Sequence, residues 1–292
     1  MTKNLSVTEK MAYSTVRIEC ETTTGELATG TGFFYGFAGS DDVHIPVIVT
    51  NKHVIADAAR GKFHLTIADI EGNPIDGQHF ACVFDNFESR WIPHPDKNVD
   101  LCVMPFAPLL RKTEKDNKTF FFQALDKSLI PKQQELDQLT QMEEVVMIGY
   151  PNGIWDQINN MPIFRKGITA THPRLPWNGK QEFLIDAACF PGSSGSPVFL
   201  LNLGSYPARD GGVVIGSRIK LLGILYAGPQ HTVTGEIEVV AVPTHQRPIS
   251  ISQIPNNLGI VIRARRLNEF ESIFEEILRN EPKPNKPSQP TQ

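Results

Sequence analysis

Three residues of types that together can turn an alcohol into a nucleophile stand beside strand-like runs in this chain. They are His53 in IVTNKHVIADA, Asp100 in NVDLCVMPF and Ser194 in DAACFPGSSGSPVF. A serine hydroxyl is a poor nucleophile near neutral pH and needs a base. An imidazole can take its proton, and a sheltered carboxylate can orient that imidazole and stabilise its cation. Asp100 suits the carboxylate role better than Asp96, because it directly precedes the apolar run Leu101 to Met104 while Asp96 lies in the polar stretch HPDKN. Gly192 permits a turn whose successive N–H groups point into one concavity. The amides of Gly192 and Ser194 are therefore candidate donors to the oxyanion formed when the Ser194 hydroxyl attacks a carbonyl. Taken singly, G-S-S-G-S-P is also compatible with a plain loop, and a lone histidine is more often structural. The conjunction is what points to acyl chemistry. A strand–serine–helix elbow of the G-x-S-x-G kind does not fit, since Gly192 and Ser196 flank Ser194 and Pro197 leads into an apolar, strand-like run. Nor is Gly30-Thr31-Gly32 a nucleotide loop, because Phe33-Phe34-Tyr35 continues as a strand and not as a helix.

The elements that must position these groups are mostly short strands. Tyr13 to Cys20 and Glu26 to Tyr35 alternate on either side of the turn Thr24-Gly25, and His44 to Thr50 is a β-branched, apolar run. Further strands are expected at 101–106, 145–150, 182–187, 197–201, 221–227, 236–242 and 259–264. Turns this frequent, with 22 Gly and 22 Pro in 292 residues, favour antiparallel sandwiches or barrels over a helical bundle or parallel α/β sheet. Residues 132–142 read as a polar surface helix or loop. Residues 268–279 read as an amphipathic helix, with Asn268 as cap, Glu271 at the capping-box position, and a stripe of Leu267, Phe270, Ile273, Phe274, Ile277 and Leu278. The last twelve positions carry four prolines and no apolar anchor, the composition of a disordered tail. With 28 basic against 32 acidic residues, a net charge of −4 and a pI near 6.1, the chain lacks the basic field that nucleic-acid binding requires. No run is long enough to span a membrane and the N-terminus lacks the apolar core of a secretion signal, so a cytoplasmic protein is expected. Cys20, Cys82, Cys102 and Cys189 are widely spaced, which suggests neither a metal site nor a disulfide framework; they read as buried or incidental thiols.

Four motifs then stand in the order of a known family: TGTGFFY (29–35), VTNKHVI (49–55), VDLCVM (99–104) and DAACFPGSSGSPV (186–198). IGYPNG (148–153), KGITA (166–170) and LLGILYAG (221–228) support them. The chain resembles the chymotrypsin-like (trypsin-fold) serine peptidases, and among them the HtrA-type branch, over roughly residues 12–279. The resemblance implies an all-β fold of two antiparallel six-stranded β-barrels with a C-terminal α-helix packed on the second. The implied parts are an arm (1–11), a first barrel (12–110) with His53 and Asp100, a connecting segment (111–144), a second barrel (145–264) with Ser194, a helix (265–280) and a Pro-rich tail (281–292). It implies a serine endopeptidase acting through His53, Asp100 and Ser194, an oxyanion hole from Gly192 and Ser194, and no cofactor or metal. The primary specificity pocket falls on Ala188, Cys189, Phe190 and Pro191, on Thr169 and His172, and on Tyr226, Ala227 and Gly228. Where trypsin has an acidic residue this chain has Ala188, so a small or medium apolar side chain is the expected P1 group, with a polar P1 group read by His172 as the alternative. Three departures stand out: no PDZ domain follows the helix, Ser196 replaces a common glycine, and the large Tyr226 stands where relatives often carry a small polar residue beside the histidine–aspartate pair. The expected partner is a polypeptide substrate, and gating by a regulatory or sensor protein is a further reading. The non-enzymatic alternative is a catalytically silent peptide-binding scaffold of the same fold.

Overall fold

Residues 13–22 and 27–38 alternate side chains across a tight turn at Gly25, whose φ of +84° suits a residue without Cβ. In a computed structural model, which describes residues 4–38, 44–115, 118–228, 230–236, 249–255 and 257–280, these become β1 (Thr15–Thr22) and β2 (Leu27–Ala38). They open a nine-stranded sheet with β3 (His44–Thr50), β4 (Ala58–Ala68), β5 (Pro74–Asp85), β6 (Ile92–Pro93), β7 (Cys102–Pro105), β8 (Phe120–Phe121) and β9 (Leu125–Asp126). Its main path runs β5-β4-β1-β2-β3-β7-β6, with β8 on β4 and β9 parallel to β2. Residues 30–37 of β2 and 47–50 of β3, at the centre of the sheet, are buried on both faces, which explains the unbroken apolar runs there. Phe34 and Ile48 point into one core with Val16, Ile18 and Phe63. Phe33, Tyr35, Phe37, Val47 and Val49 point the other way, into a core shared with Ile148, Phe199, Ile224 and Ile262 of the second half.

The second half is a closed barrel, β10-β11-β12-β19-β16-β13. Its strands are β10 (Glu144–Gly149), β11 (Ile163–Thr169), β12 (Glu182–Asp186), β13 (Pro197–Asn202), β16 (Arg218–Ala227) and β19 (Leu258–Arg263). Two hairpins, β14–β15 (Ser205–Pro207, Val213–Ile215) and β17–β18 (Gln230–Glu236, Ile249–Pro255), stand off it. Phe183, Ile185, Val198, Leu222 and Val261 fill the barrel. The all-β architecture with a six-stranded second barrel and a C-terminal helix is as expected, while the first half carries nine strands, more than the six the resemblance implies.

The long hairpin β4–β5 and strand β11 were not foreseen, because Arg60, Gly61, Lys62, Asp76, Gly77 and Lys166 break the apolar pattern that announces a strand. Of the strand expected at 236–242, only Glu236 is within the described residues, at the end of β17. The segment between the halves is structured as well. It contains a helix at Ala107–Lys115, β8, β9 and a one-turn helix at Gln133–Asp137, and Phe120 and Phe122 pack on the first core. The N-terminal arm begins a short helix at Val7–Ala12, capped reciprocally by Ser6 and Glu9.

Two expectations for the C-terminal helix need correction. Asn268 is not its cap, since a 3₁₀ stretch over Ala264–Phe270 runs straight into the helix Glu271–Asn280. The apolar stripe does not rest on the second barrel alone. Phe274 stacks on Phe37 of β2 with centroids 4.8 Å apart, and Phe270 lies edge-on to His94 at 5.1 Å, so the helix ties the second half back to the first. The Pro-rich tail lies outside the described residues. All four cysteines are free and buried, and burial pushes the Cys82 thiol up to about 11 and those of Cys20 and Cys189 up to about 12, the behaviour of small hydrophobes rather than reactive thiols.

Candidate active site

Pairing of Thr50 with Cys102 between β3 and β7 brings two otherwise distant segments side by side. His53 lies in the single helical turn Lys52–Ile55 just after β3, and Asp100 lies just before β7. Asp100 Oδ2 is 2.5 Å from His53 Nδ1, and Oδ1 accepts the His53 backbone N–H at 3.1 Å. Asn51 Nδ2 donates to the Asp100 carbonyl at 2.7 Å, fixing the carboxylate's backbone from the other side. With Nδ1 turned to the carboxylate, Nε2 is the ring nitrogen left for another partner. The imidazole is half exposed (48%) and the carboxylate more sheltered (24%). Asp96, the rival carboxylate, is bound elsewhere, by Arg266 Nη2 at 2.8 Å.

The Ser194 loop crosses between β12 and β13. It is a chain of tight turns: Ser193 N–H donates to the Phe190 carbonyl and Ser196 N–H to the Ser193 carbonyl, both at 3.0 Å. Gly192 and Gly195 hold φ of +84° and +87°. A Cβ on Gly195 would fall 1.9 Å from the Thr31 carbonyl oxygen, so glycine is required there twice over. The amides of Gly192 and Ser194 make no hydrogen bond among the described residues, whereas that of Gly195 is spent on Leu225 O at 2.8 Å.

Thr31 of β2 is the joint between the two halves, and the sequence did not single it out. Its hydroxyl, fully buried, donates to Gly192 O at 2.9 Å and accepts from Tyr150 N at 3.1 Å. Its N–H donates to Ser194 O at 2.9 Å, and its carbonyl accepts the Thr50 hydroxyl at 2.7 Å. One residue thus anchors the serine loop and the end of the strand that leads to His53. The motif TGTGFFY held the signal, since flanking glycines admit close neighbours: a Cβ on Gly30 would meet Val54 Cγ1 at 2.3 Å. Asn152 N–H adds a bond to Pro191 O at 2.6 Å.

The structure therefore brings His53 and Asp100 into direct contact and pins the Ser194 loop to the same half. It does not join Ser194 to His53 directly: Ser194 Oγ donates to the Tyr226 carbonyl, at 3.5 Å. Of the residues expected to line a pocket, Cys189 is buried, and a Cβ on Gly228 would come within 3.8 Å of its Cβ. Phe190 lies under the Arg165 guanidinium, 5.0 Å from the ring centroid. Ala188 is half-buried and Pro191 exposed, while Ala227 is half-buried at the end of β16 beside Tyr226. Thr169 is buried, its hydroxyl accepting from Glu143 N at 2.8 Å and donating to Gln141 O at 2.9 Å. His172 accepts the Arg174 N–H at 3.2 Å. Burial and then the charges of Arg174 and Arg209 hold its imidazole below the usual range.

Residues 30–205 match the family model described as trypsin-like peptidase domain. The chain belongs to that family. No curated protein matches this peptidase-domain chain. Similar solved structures include the HtrA-type protease AlgW with tripeptide, 17% identical with a TM-score of 0.47 over 91% of this chain. A variant of AlgW, also with tripeptide, is 16% identical with a TM-score of 0.46 over the same 91%. This peptidase domain spans 61% of the length of those chains. No helix among its described residues is long and apolar enough to cross a membrane.

Proposed function

We propose that the protein is a serine endopeptidase that cleaves peptide bonds through an acyl-enzyme. The observation that carries this reading is the doubly bonded His53–Asp100 pair on the strand end that Thr31 links to the Ser194 loop. On this reading the Ser194 side chain leaves the Tyr226 carbonyl and turns toward His53 Nε2 as substrate binds, since such bonds are commonly loose until substrate arrives. His53 takes the hydroxyl proton as Oγ adds to the carbonyl carbon, and Asp100 stabilises the imidazolium. The amides of Gly192 and Ser194 receive the oxyanion. The imidazolium then protonates the departing amine, and water repeats the cycle on the ester to release the acid and restore the serine.

Polypeptides are the substrates on this reading. A small or medium apolar P1 group is favoured by the buried Cys189 beside Gly228, whereas His172 is already engaged by Arg174 N–H. A peptide-library profile dominated by Arg or Lys would overturn that preference. Restraint by a protein partner belongs to the same reading, supported by a serine hydroxyl resting on a carbonyl rather than on the base. A cytosolic setting is supported by four buried thiols left free.

The test is hydrolysis of unfolded casein and of mapped peptides by the purified chain. Ser194→Ala should lower turnover by several orders of magnitude, to about 10³–10⁴ over water if the oxyanion donors survive. Undiminished turnover in Ser194→Ala refutes the assignment. Peptide binding by the wild type without turnover would favour the silent scaffold.

A further inference from the structure

Residues 80–85 of β5 read FACVFD. Phe80, Cys82 and Phe84 turn into the first core, while Ala81, Val83 and Asp85 are exposed, the alternation of a strand with one wet face. β5 ends the main path of the nine-stranded sheet and pairs with β4 alone among the described residues. An edge strand turns the N–H and C=O of alternate residues toward whatever lies beside it, and natural edges are blunted or covered. The first part of β5 is approached from the second half: His79 Nε2 lies 3.0 Å from Gln157 O, and a Cβ on Gly77 would fall 3.8 Å from Ile158 O. From Phe80 onward the edge borders a cavity of about 760 Å³ instead.

Consecutive residues of both parities, 80–85, line that cavity, so it follows the edge of the strand rather than either face. Its opposite wall is the end of β7 at Met104 and Pro105 and the side of the helix Ala107–Lys115 that carries Pro108 and Leu109. That wall offers β5 no ladder, because Met104 and Pro105 already pair with β3 and prolines have no N–H to donate. Charge narrows the choice of guest. Asp85 is the acid on the lining, and Arg60 Nε already holds its Oδ1 at 3.2 Å. Arg90 spends Nε on the Asp85 carbonyl at 2.9 Å and lies over the Phe84 ring. Lys118 lies over the Phe80 ring at 3.7 Å, and Lys112 lines the far wall. None of these three cations forms an ion pair among the described residues. Two aromatic rings thus lie between positive charges at both ends, in a chain whose net charge is −4. In the cavity of about 530 Å³ beside the β14–β15 hairpin, by contrast, Arg218 and Lys220 are held by Glu143 and Glu135.

We propose that this groove docks an extended, acidic segment of a partner protein, which adds as a strand to residues 80–85 of β5 and sets its carboxylates against Arg90, Lys112 and Lys118. Main-chain hydrogen bonds to the open edge supply affinity, and the cations flanking the Phe80 and Phe84 rings select the guest and its register. Valine or another β-former between the carboxylates suits the apolar floor. The surface is separate from His53, Asp100 and Ser194, so it stands whether or not the chain is a peptidase.

The probe is a fluorescently labelled peptide, Glu-Val-Glu-Val-Glu-Val-Glu, titrated with the full chain and followed by anisotropy, with amide hydrogen exchange to locate it. The expected result is saturable binding that weakens as salt is raised, with exchange slowed at residues 80–85. Lys112→Glu combined with Lys118→Glu should weaken binding about tenfold or more. A peptide with proline in place of the central valine, which cannot complete the ladder, should lose a similar factor. Ser194→Ala should bind as the wild type does; loss of binding there would place the peptide in the catalytic cleft and overturn the proposal. So would a titration that does not saturate, exchange unchanged at 80–85, or equal binding of the proline peptide or of one with lysine for every glutamate. A single-stranded oligothymidylate bound more tightly than the peptide would make the groove a phosphate-backbone site and overturn it as well. Should the double reversal fail to fold, Lys112→Glu alone, at an exposed helix position, should weaken binding about threefold, and wild-type affinity in that variant overturns the proposal equally.

Discussion

The proposed triad of Ser194, His53 and Asp100 rests on residues that stand out locally in the sequence, by a Gly-Ser turn, a strand end and an acid before an apolar run, and of these the structure joins His53 to Asp100. Thr31 does not stand out, since its hydroxyl reaches a carbonyl 161 residues away and a threonine inside a strand looks like any β-former. Its importance can be measured. Thr31→Val strips the hydroxyl from Gly192 O and Tyr150 N, and each buried group left unsatisfied costs roughly 1–3 kcal/mol. The expected outcome is a lower melting temperature together with a fall in kcat, while Thr31→Ser keeps both close to wild type. Equal loss in Thr31→Ser and Thr31→Val would show that volume, not the hydroxyl, matters. Gly195→Ala places a Cβ 1.9 Å from the Thr31 carbonyl oxygen in a backbone with φ of +87°. It should abolish turnover in a chain that otherwise retains its circular dichroism.

Among elements, strands with consecutive β-branched or aromatic residues were legible, and those carrying charges and glycines were not. In β4 the glycine that broke the pattern has a structural cause: a Cβ on Gly61 would lie 2.3 Å from the Phe87 ring, which is fully buried. A glycine within a strand marks such a close approach as readily as a turn. At the start of the C-terminal helix Asn268 and Glu271 imitate a cap in the sequence, whereas the chain is already wound as a 3₁₀ stretch from Ala264. What that helix holds together is testable. Phe274, nearly fully buried and stacked on Phe37, should cost about 3–5 kcal/mol when cut to alanine. Chemical denaturation of Phe274→Ala should show that loss, and a change below about 1 kcal/mol would mean the helix packs more loosely than described.

At the scale of the molecule, one core joins the first sheet, the second barrel and the helix, so the two halves should unfold together. A buried histidine at that junction makes stability depend on pH. His94, whose side chain is fully buried, accepts the Asp96 N–H through Nδ1 at 3.0 Å and lies 3.1 Å from Arg266 O through Nε2. Burial holds its imidazole below the usual range, and His64 is lowered by burial and then by Lys62. The unfolded chain therefore takes up protons at about pH 6.5, before the folded one does. The stability these groups allow is present above that pH and falls as the medium acidifies through the lower folded values. Melting temperature should drop between about pH 7 and pH 5, with a shallower drop in His94→Gln; a flat profile in the wild type contradicts it. The idea that His53 makes Ser194 the nucleophile is tested most directly by peptide mapping after treatment with a fluorophosphonate. The account predicts one phosphonylated residue, Ser194, in the wild type and little or no adduct in His53→Ala. An adduct that forms as fast in His53→Ala, or settles on a different serine, would contradict it.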